Sequence, residues 1–148
     1  MTGVERFSEA VWRGDLPLVQ ALIAAGADVN VPASEGRYPP LLLALEQTWI
    51  EIVRCLIAAG ADVNQPFGEN WTPLAHAIDI ESDAAWQRFH EPNRADTELT
   101  ELLLESGAKP TARAFQIARH YGNARALTVL ERYAKRDQPT NEFHPGND

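Results

Sequence analysis

Apolar residues recur along the chain at the three- and four-residue spacing of amphipathic helices. In one such stripe Ile52, Val53, Leu56 and Ile57 fall on a single helical face, which predicts a helix packed against a core. Small and apolar residues then run up to Gly60, which can adopt the left-handed conformation that follows the last turn of a helix. The pattern therefore predicts a helix over about residues 49–59 that is closed by a glycine turn.

This pattern is repeated elsewhere in the chain. Residues 22–30 and residues 56–64 both read LIAAGADVN, so the repeat period is 34 residues. A third, degraded copy occupies residues 102–109. Self-similarity at a period of about 20 to 50 residues indicates a solenoid, in which each unit buries its apolar face against its neighbours.

The starts of helices are also marked in the sequence. Thr72 is followed by Pro73 and Leu74, which places a hydroxyl N-cap, a proline at the first helical position and a core leucine in that order. The second unit has a weaker version, in which Pro39 stands where the capping threonine would be. The first unit reads RFSEA over residues 6–10 instead, and its first helix is predicted to begin at about Glu5.

The two motifs together resemble the ankyrin repeat, which starts with T-P-L-H-x-A and ends with G-A-D-V-N within about 33 residues. The resemblance covers about four repeats and implies an all-α ankyrin-repeat solenoid of helix-turn-helix units. Ala75 replaces the family histidine and His76 follows it, so the usual hydrogen bond from threonine to histidine is not assured. The predicted repeats of this single domain, 1–135, are residues 5–34, 35–68, 69–110 and 111–135. Residues 136–148 lack apolar periodicity and are expected to form a disordered tail.

The third repeat contains an insertion. The glycines that end the second and third repeats are 47 residues apart, about 14 more than the family period. We assign the extra length to residues 79–96, where Ser82 could cap a short additional helix that Pro92 ends, and Asp96 could cap the next helix. The insertion either walls the binding groove or fills a gap in the stack.

Charge is distributed unevenly along the chain. Residues 1–68 carry a net charge of −4, residues 69–110 carry −6, and residues 111–148 carry +2. Because an acidic surface is repelled by a phosphate backbone, nucleic acid is not expected as a partner. A basic protein surface is the better electrostatic match, although an acidic excess also serves solubility.

Motifs for catalysis, cofactors and metals are not found in the sequence. The four histidines lack the spacing of a zinc site, and there is no glycine-rich nucleotide loop or nucleophile elbow. The carboxylates of Asp79, Glu81 and Asp83 are spaced two residues apart, so neighbouring pairs point to different sides of a helix. We therefore interpret them as solvated charges and expect a protein that is not an enzyme and needs no cofactor or metal.

Location and assembly are predicted from what the sequence lacks. No apolar run approaches the roughly 20 residues that a membrane span requires, and the first residues do not have the profile of a signal peptide. The single cysteine, Cys55, excludes an internal disulfide. A cytoplasmic monomer with no membrane contact is the expectation.

The ankyrin resemblance implies that the concave surface of the stack binds another protein. Aromatic residues on turns would anchor the partner, and acidic residues would steer a basic one. The candidate partner-binding residues are Glu35, Arg37, Tyr38, Glu46, Phe67, Glu69, Asn70, Trp71, Asp79, Glu81, Trp86 and Phe89.

Narrower roles remain open at this point. A bacterial immunity-type inhibitor would mask a toxin or an enzyme and would bind one cationic partner. A structural adaptor would bind two larger proteins at the same time.

Overall fold

The computed structural model describes residues 1–137, and this part of the chain folds into eight α-helices and no strands. The helices form four contacting pairs, with a 3₁₀ turn at Pro92–Arg94 between α5 and α6. Their bounds are α1 Gly3–Trp12, α2 Leu16–Ala24, α3 Pro40–Glu46, α4 Ile50–Ala58, α5 Pro73–Phe89, α6 Glu98–Glu105, α7 Ala112–Tyr121 and α8 Ala124–Arg136. The predicted solenoid of about four helix-turn-helix repeats is confirmed. The predicted tail, apart from Arg136 and Asp137, lies outside the described residues.

Helices begin and end where the local chemistry predicts. The Oγ1 of Thr72 accepts a hydrogen bond from the backbone N–H of Ala75 at 3.3 Å, and Pro73 is the first residue of α5. Pro39 precedes α3 without a side-chain cap, as its chemistry requires. Beyond α2, α4 and α6 stand glycines in the left-handed region, namely Gly26 (φ 96°), Gly60 (φ 97°) and Gly107 (φ 100°).

The start of α1 differs from the prediction. The helix begins at Gly3 because Thr2 and Glu5 form a capping box. The backbone N–H of Glu5 donates to Thr2 Oγ1 at 3.1 Å, and the backbone N–H of Thr2 donates to Glu5 Oε2 at 2.6 Å. A threonine followed three residues later by a glutamate is the signature of this cap, so the sequence contained the information.

The helices lie in two layers with the core between them. The inner layer is α1, α3, α5 and α7, which contact one another in that order; the outer layer is α2, α4, α6 and α8. Leu56 of α4 is fully buried, whereas its repeat counterpart Leu22 of α2 is half-buried and packs on the same core. The difference arises because the first repeat has a neighbour on one side only.

The asparagine that ends each LIAAGADVN block joins its repeat to the next one. The Nδ2 of Asn30 donates to the carbonyl of Gly60 at 3.2 Å, and its Oδ1 accepts from the N–H of Asp62 at 2.8 Å. Asn64 repeats this arrangement, donating to the carbonyl of Gly107 at 3.1 Å and accepting from the N–H of Lys109 at 2.9 Å. Each asparagine amide therefore makes the same two contacts with the next repeat. We call such a set of hydrogen bonds between neighbouring repeats a joint.

The insertion lengthens α5 and does not form a separate helix, so the predicted cap at Ser82 is wrong. Ser82 is fully buried within α5, and its Oγ accepts a hydrogen bond from Asn123 Nδ2 at 2.9 Å. The helix continues to Phe89 because residues 79–89 contain neither proline nor glycine to stop it. Asp96 accepts from the N–H of Glu98 at 3.0 Å, but the residue that precedes α6 is Thr97.

Candidate functional site

Most of the predicted binding residues lie on one surface, made by the inner helices and two loops. We call residues 31–39 finger 1, residues 65–71 finger 2, and the whole surface the inner face. Finger 1 lines a cleft with α1 and α3, and finger 2 lines another with α7. Asp79 of α5 lines a third cleft with Arg113 of α7, which also borders the finger 2 cleft. Fingers and inner helices thus share one side of the molecule.

Four aromatic rings form a cluster where the two fingers meet α5. The ring centroids of Tyr38 and Phe67 are 4.6 Å apart, and those of Tyr38 and His76 are 5.5 Å apart. The Trp71 ring lies 5.9 Å from the ring of His76. Finger 2 is closed by a hydrogen bond of 2.8 Å from the Phe67 N–H to the Trp71 carbonyl. Tyr38, Phe67 and Trp71 are half-buried, so each packs on the fold and still presents ring surface.

His76 organises the cluster and is neutral in this arrangement. Trp71 Nε1–H donates to His76 Nδ1 at 3.0 Å, so Nδ1 carries no proton. The imidazole proton is then on Nε2, which lies 2.7 Å from Glu46 Oε2. Burial lowers the pKa of His76 below its ordinary value, although the charges of Glu46 and Asp79 act in the opposite direction. A hydrogen bond from Trp71 to His76 thus stands in place of the family's hydrogen bond between threonine and histidine.

Asp79 connects the middle of the inner face to its last helix. Its Oδ1 accepts a hydrogen bond from the hydroxyl of Tyr121 at 3.1 Å. Burial and the neighbouring carboxylate of Asp79 raise the pKa of Tyr121 to about 12, so the phenol stays protonated and continues to donate. Asp79 is partly exposed and keeps a charge on this surface.

The other candidate residues on the fingers are exposed. Glu35 and Arg37 lie on finger 1, and Arg37 borders the cleft with α1. Glu69 and Asn70 lie on finger 2 and border a cleft of about 850 Å³. Asn70 has a φ of 58°, a left-handed conformation that asparagine tolerates better than most residues. The guanidinium of Arg113 lies 5.6 Å from the Trp71 ring on the other side of this cleft.

The structure adds residues of α1 that the sequence analysis missed. Glu5, Glu9 and Trp12 follow one another on one side of α1 and line the cleft of about 640 Å³ with finger 1. Trp12 is 49% exposed, and Glu9 forms an ion pair of 2.6 Å with Arg13. Trp12 precedes Glu46 by one repeat period of 34 residues. Extending the repeat alignment to the first helix would therefore have found this position.

The expectation that Glu81 is a solvated charge is wrong. Glu81 is 7% exposed and accepts hydrogen bonds from the first turn of α6. Its Oε1 accepts from the N–H groups of Leu99 (2.6 Å) and Thr100 (3.4 Å), and its Oε2 from Thr100 Oγ1 (2.5 Å). Burial raises the pKa of Glu81 to about 8, against the opposing effect of these hydrogen bonds. Glu81 thus caps the N-terminus of α6 although it lies 18 residues earlier in the chain. Its burial keeps it from contacting a partner.

Trp86 and Phe89 of the extended α5 have different surroundings. Trp86 follows Asp79 by seven residues and therefore shares its side of the helix; it is 50% exposed. Phe89 is half-buried and stacks with Arg94, whose guanidinium carbon is 3.9 Å from the ring centroid. The inner face thus gains Trp86, whereas Phe89 belongs to the packing of the insertion.

The described part of the chain lacks two features that mark other classes of protein, a metal cluster and a membrane-spanning helix. Within residues 1–137, no three His, Cys, Asp or Glu side chains are grouped so that they could hold a metal ion. No helix in the same range combines the length and apolarity needed to cross a membrane.

Comparison with protein families gives a match that covers most of the chain. A family model described as ankyrin repeats (3 copies) matches residues 7–114. The matched range includes both fingers, the insertion and the first three helix pairs except the first four residues of α1. Comparison with curated proteins found no match.

Proposed function

Because this chain belongs to the ankyrin-repeat family, whose repeats are protein–protein interaction modules, we propose that its inner face binds a basic segment of a protein partner without catalysing a reaction. The proposal rests on one arrangement: the half-buried rings of Tyr38, Phe67 and Trp71 lie beside the carboxylates of Glu46 and Asp79. Aromatic anchors and steering charges are thereby combined on one surface.

The charges of the inner face suggest an orientation for the partner. The helices α1, α3 and α5 contribute carboxylates to this face, whereas α7 contributes Arg113. A segment rich in lysine or arginine would therefore lie across the first three inner helices. The carboxylates that favour this placement are Glu5, Glu9, Glu46, Asp79 and Asp83.

Selection from a random peptide display library tests the proposal directly. We expect selected peptides to be enriched in lysine and arginine next to an aromatic or aliphatic residue. Their affinity, measured by fluorescence anisotropy, should fall as ionic strength is raised. A selection with no basic bias, or binding insensitive to salt, would contradict the proposal.

A matched pair of double variants locates the binding surface. Glu9→Gln with Asp79→Asn removes two charges from the inner face and should weaken peptide binding about threefold to tenfold. Glu51→Gln with Glu105→Gln removes two exposed charges from the outer helices and should leave binding unchanged. Equal weakening by both pairs would show a nonspecific effect of net charge.

The inhibitor and the adaptor are narrower versions of this function. An inhibitor forms a complex with one partner and suppresses that partner's activity. An adaptor forms a ternary complex. Sedimentation velocity with the identified partner distinguishes them by stoichiometry.

A further inference from the structure

A depression on the insertion gathers positive charge in a chain whose net charge is −8. Its volume is about 430 Å³, and it is bordered by α5, the 3₁₀ turn and α8. Three arginines from these three elements line it: Arg88, Arg94 and Arg125. It is lined by none of the inner-face residues that carry the proposed partner binding.

The three guanidinium groups are held in place without a carboxylate partner. Arg88 and Arg94 both lie at the ring of Phe89, with guanidinium carbons 5.6 Å and 3.9 Å from its centroid. Arg125 Nη1 donates to the carbonyl of Ala95 at 3.1 Å. Within residues 1–137, no carboxylate oxygen lies within 4.0 Å of a nitrogen of these three arginines. Since a guanidinium has five N–H donors, none of which is used in an ion pair within the described residues, these arginines have N–H groups free to bind an anion.

The two acidic residues of the depression are engaged elsewhere. Glu81 caps α6 through both oxygens, and burial raises its pKa to about 8, which reduces its negative charge at neutral pH. Asp96 accepts a hydrogen bond from the N–H of Glu98. The lining therefore has a positive balance, and its arginines are prepositioned for an anion.

We propose that this depression binds the phosphate group of a small molecule, with Arg88, Arg94 and Arg125 as its donors. Guanidinium groups pair with phosphate through parallel hydrogen bonds, which makes arginine the side chain best suited to this group. The volume lies within the range of small-molecule sites. A nucleic acid strand is disfavoured because the net negative charge of the protein repels a polyanion.

Titration of the full chain with pyrophosphate, followed by NMR of the arginine Nε–Hε groups, tests the site. We expect saturable shifts of the signals of Arg88, Arg94 and Arg125. Arg88→Gln and Arg94→Gln should each weaken binding about tenfold, because each removes a charged donor pair. Arg132→Gln is the matched control, since Arg132 is exposed on α8 and does not line the depression.

Further measurements separate the outcomes. Circular dichroism and the melting temperature establish that each variant is folded. Binding of a basic peptide to the inner face should be unchanged in Arg88→Gln, Arg94→Gln and Arg132→Gln. AMP that binds as tightly as pyrophosphate, or more tightly, would support a site for phosphate esters. Equal shifts at Arg132, no shift at millimolar pyrophosphate, or tighter binding of a single-stranded oligonucleotide would overturn the proposal.

Discussion

The first two joints between repeats and the last joint are built on opposite edges of the molecule. Asn30 and Asn64 join their repeats on the side of the fingers, through the same pair of backbone contacts. In the third block the equivalent position is Thr111, whose Oγ1 caps α7 and accepts from Ala114 N–H at 3.3 Å. The third repeat therefore lacks the asparagine amide, and the segment between α6 and α7 is shorter than the segment between α4 and α5 that carries finger 2.

The last joint is made at the turns between paired helices. Ser82 accepts from Asn123, Asn93 Oδ1 accepts from the N–H of Ala124 at 3.1 Å, and Arg125 donates to Ala95. Each of these bonds involves the insertion. The extra residues thus make contacts to the last repeat where the asparagine contact is missing, which favours the interpretation that the insertion fills a gap in the stack.

The largest expected effect is at Glu81, which joins α5 to α6 within the third repeat. Glu81→Ala leaves two buried N–H groups and the hydroxyl of Thr100 without their acceptor. Since each unsatisfied buried donor costs about 1–3 kcal/mol, we expect the free energy of unfolding to fall by about 3 kcal/mol. Urea denaturation measures the loss, and native-state hydrogen exchange should show it first in α6.

Glu81→Gln is the control for this prediction. The amide oxygen can accept from Leu99 N–H while the amide nitrogen donates to Thr100 Oγ1, so the loss should be less than about 1 kcal/mol. Equal losses in the alanine and glutamine variants would show that packing, and not the cap, sets the stability of the contact between α5 and α6.

The same carboxyl group makes the contact between α5 and α6 dependent on pH. The pKa of Glu81 is raised from 4.5 to about 8, so between these values the folded state binds one proton more than the unfolded state. The free energy of unfolding should therefore fall as pH rises through this range. Glu81→Gln cannot titrate, and the stability difference between wild type and variant should shift with pH. Parallel curves from pH 5 to pH 9 would contradict the raised pKa.

The two regular joints should respond to mutation alike. Asn30→Ala and Asn64→Ala each remove one donated and one accepted hydrogen bond to backbone. The expected loss is about 1–2 kcal/mol in each case, because these bonds are partly solvated. Urea denaturation of the two variants measures the difference, and losses that differ by more than about 1 kcal/mol would show that the joints are not equivalent.

Features set by neighbouring residues were predictable from the sequence, and features set by distant ones were not. The cap at Thr72 and the turn at Gly60 depend on local backbone chemistry, so short motifs predicted both. The roles of Ser82 and Glu81 depend on partners 41 and 18 residues away. Local spacing presented Ser82 as a cap and Glu81 as a solvated charge, because both residue types most often have those roles.

The candidate site was partly predictable for a related reason. Phe67 and Trp71 are predicted anchors because large aromatics on an exposed turn are unusual, and both contribute rings to one cluster at the inner face. The part played by His76 could not be read from its position, since Trp71, five residues earlier, supplies the N–H that fixes its tautomer. Trp12 was not predicted, although it precedes the candidate Glu46 by one repeat period of 34 residues.

Apart from the Glu81→Gln control, the smallest expected change in stability belongs to Trp71→Phe, which alters the finger side of the molecule and leaves the last joint intact. Loss of one partly buried hydrogen bond should cost about 1 kcal/mol, and α8 should keep its protection from hydrogen exchange. Without the indole N–H, His76 Nδ1 can take a proton, and Glu46 stabilises the resulting cation. The pKa of His76 should therefore rise.

An NMR titration of the histidine side chains measures this effect. His90 and His120 are exposed and serve as internal controls. An unchanged His76 pKa in Trp71→Phe would mean that burial alone keeps the imidazole neutral, because burial already lowers its pKa in the wild type. A rise confined to His76 would instead establish that finger 2 sets the charge at the centre of the inner face, and with it the electrostatic match to a basic partner.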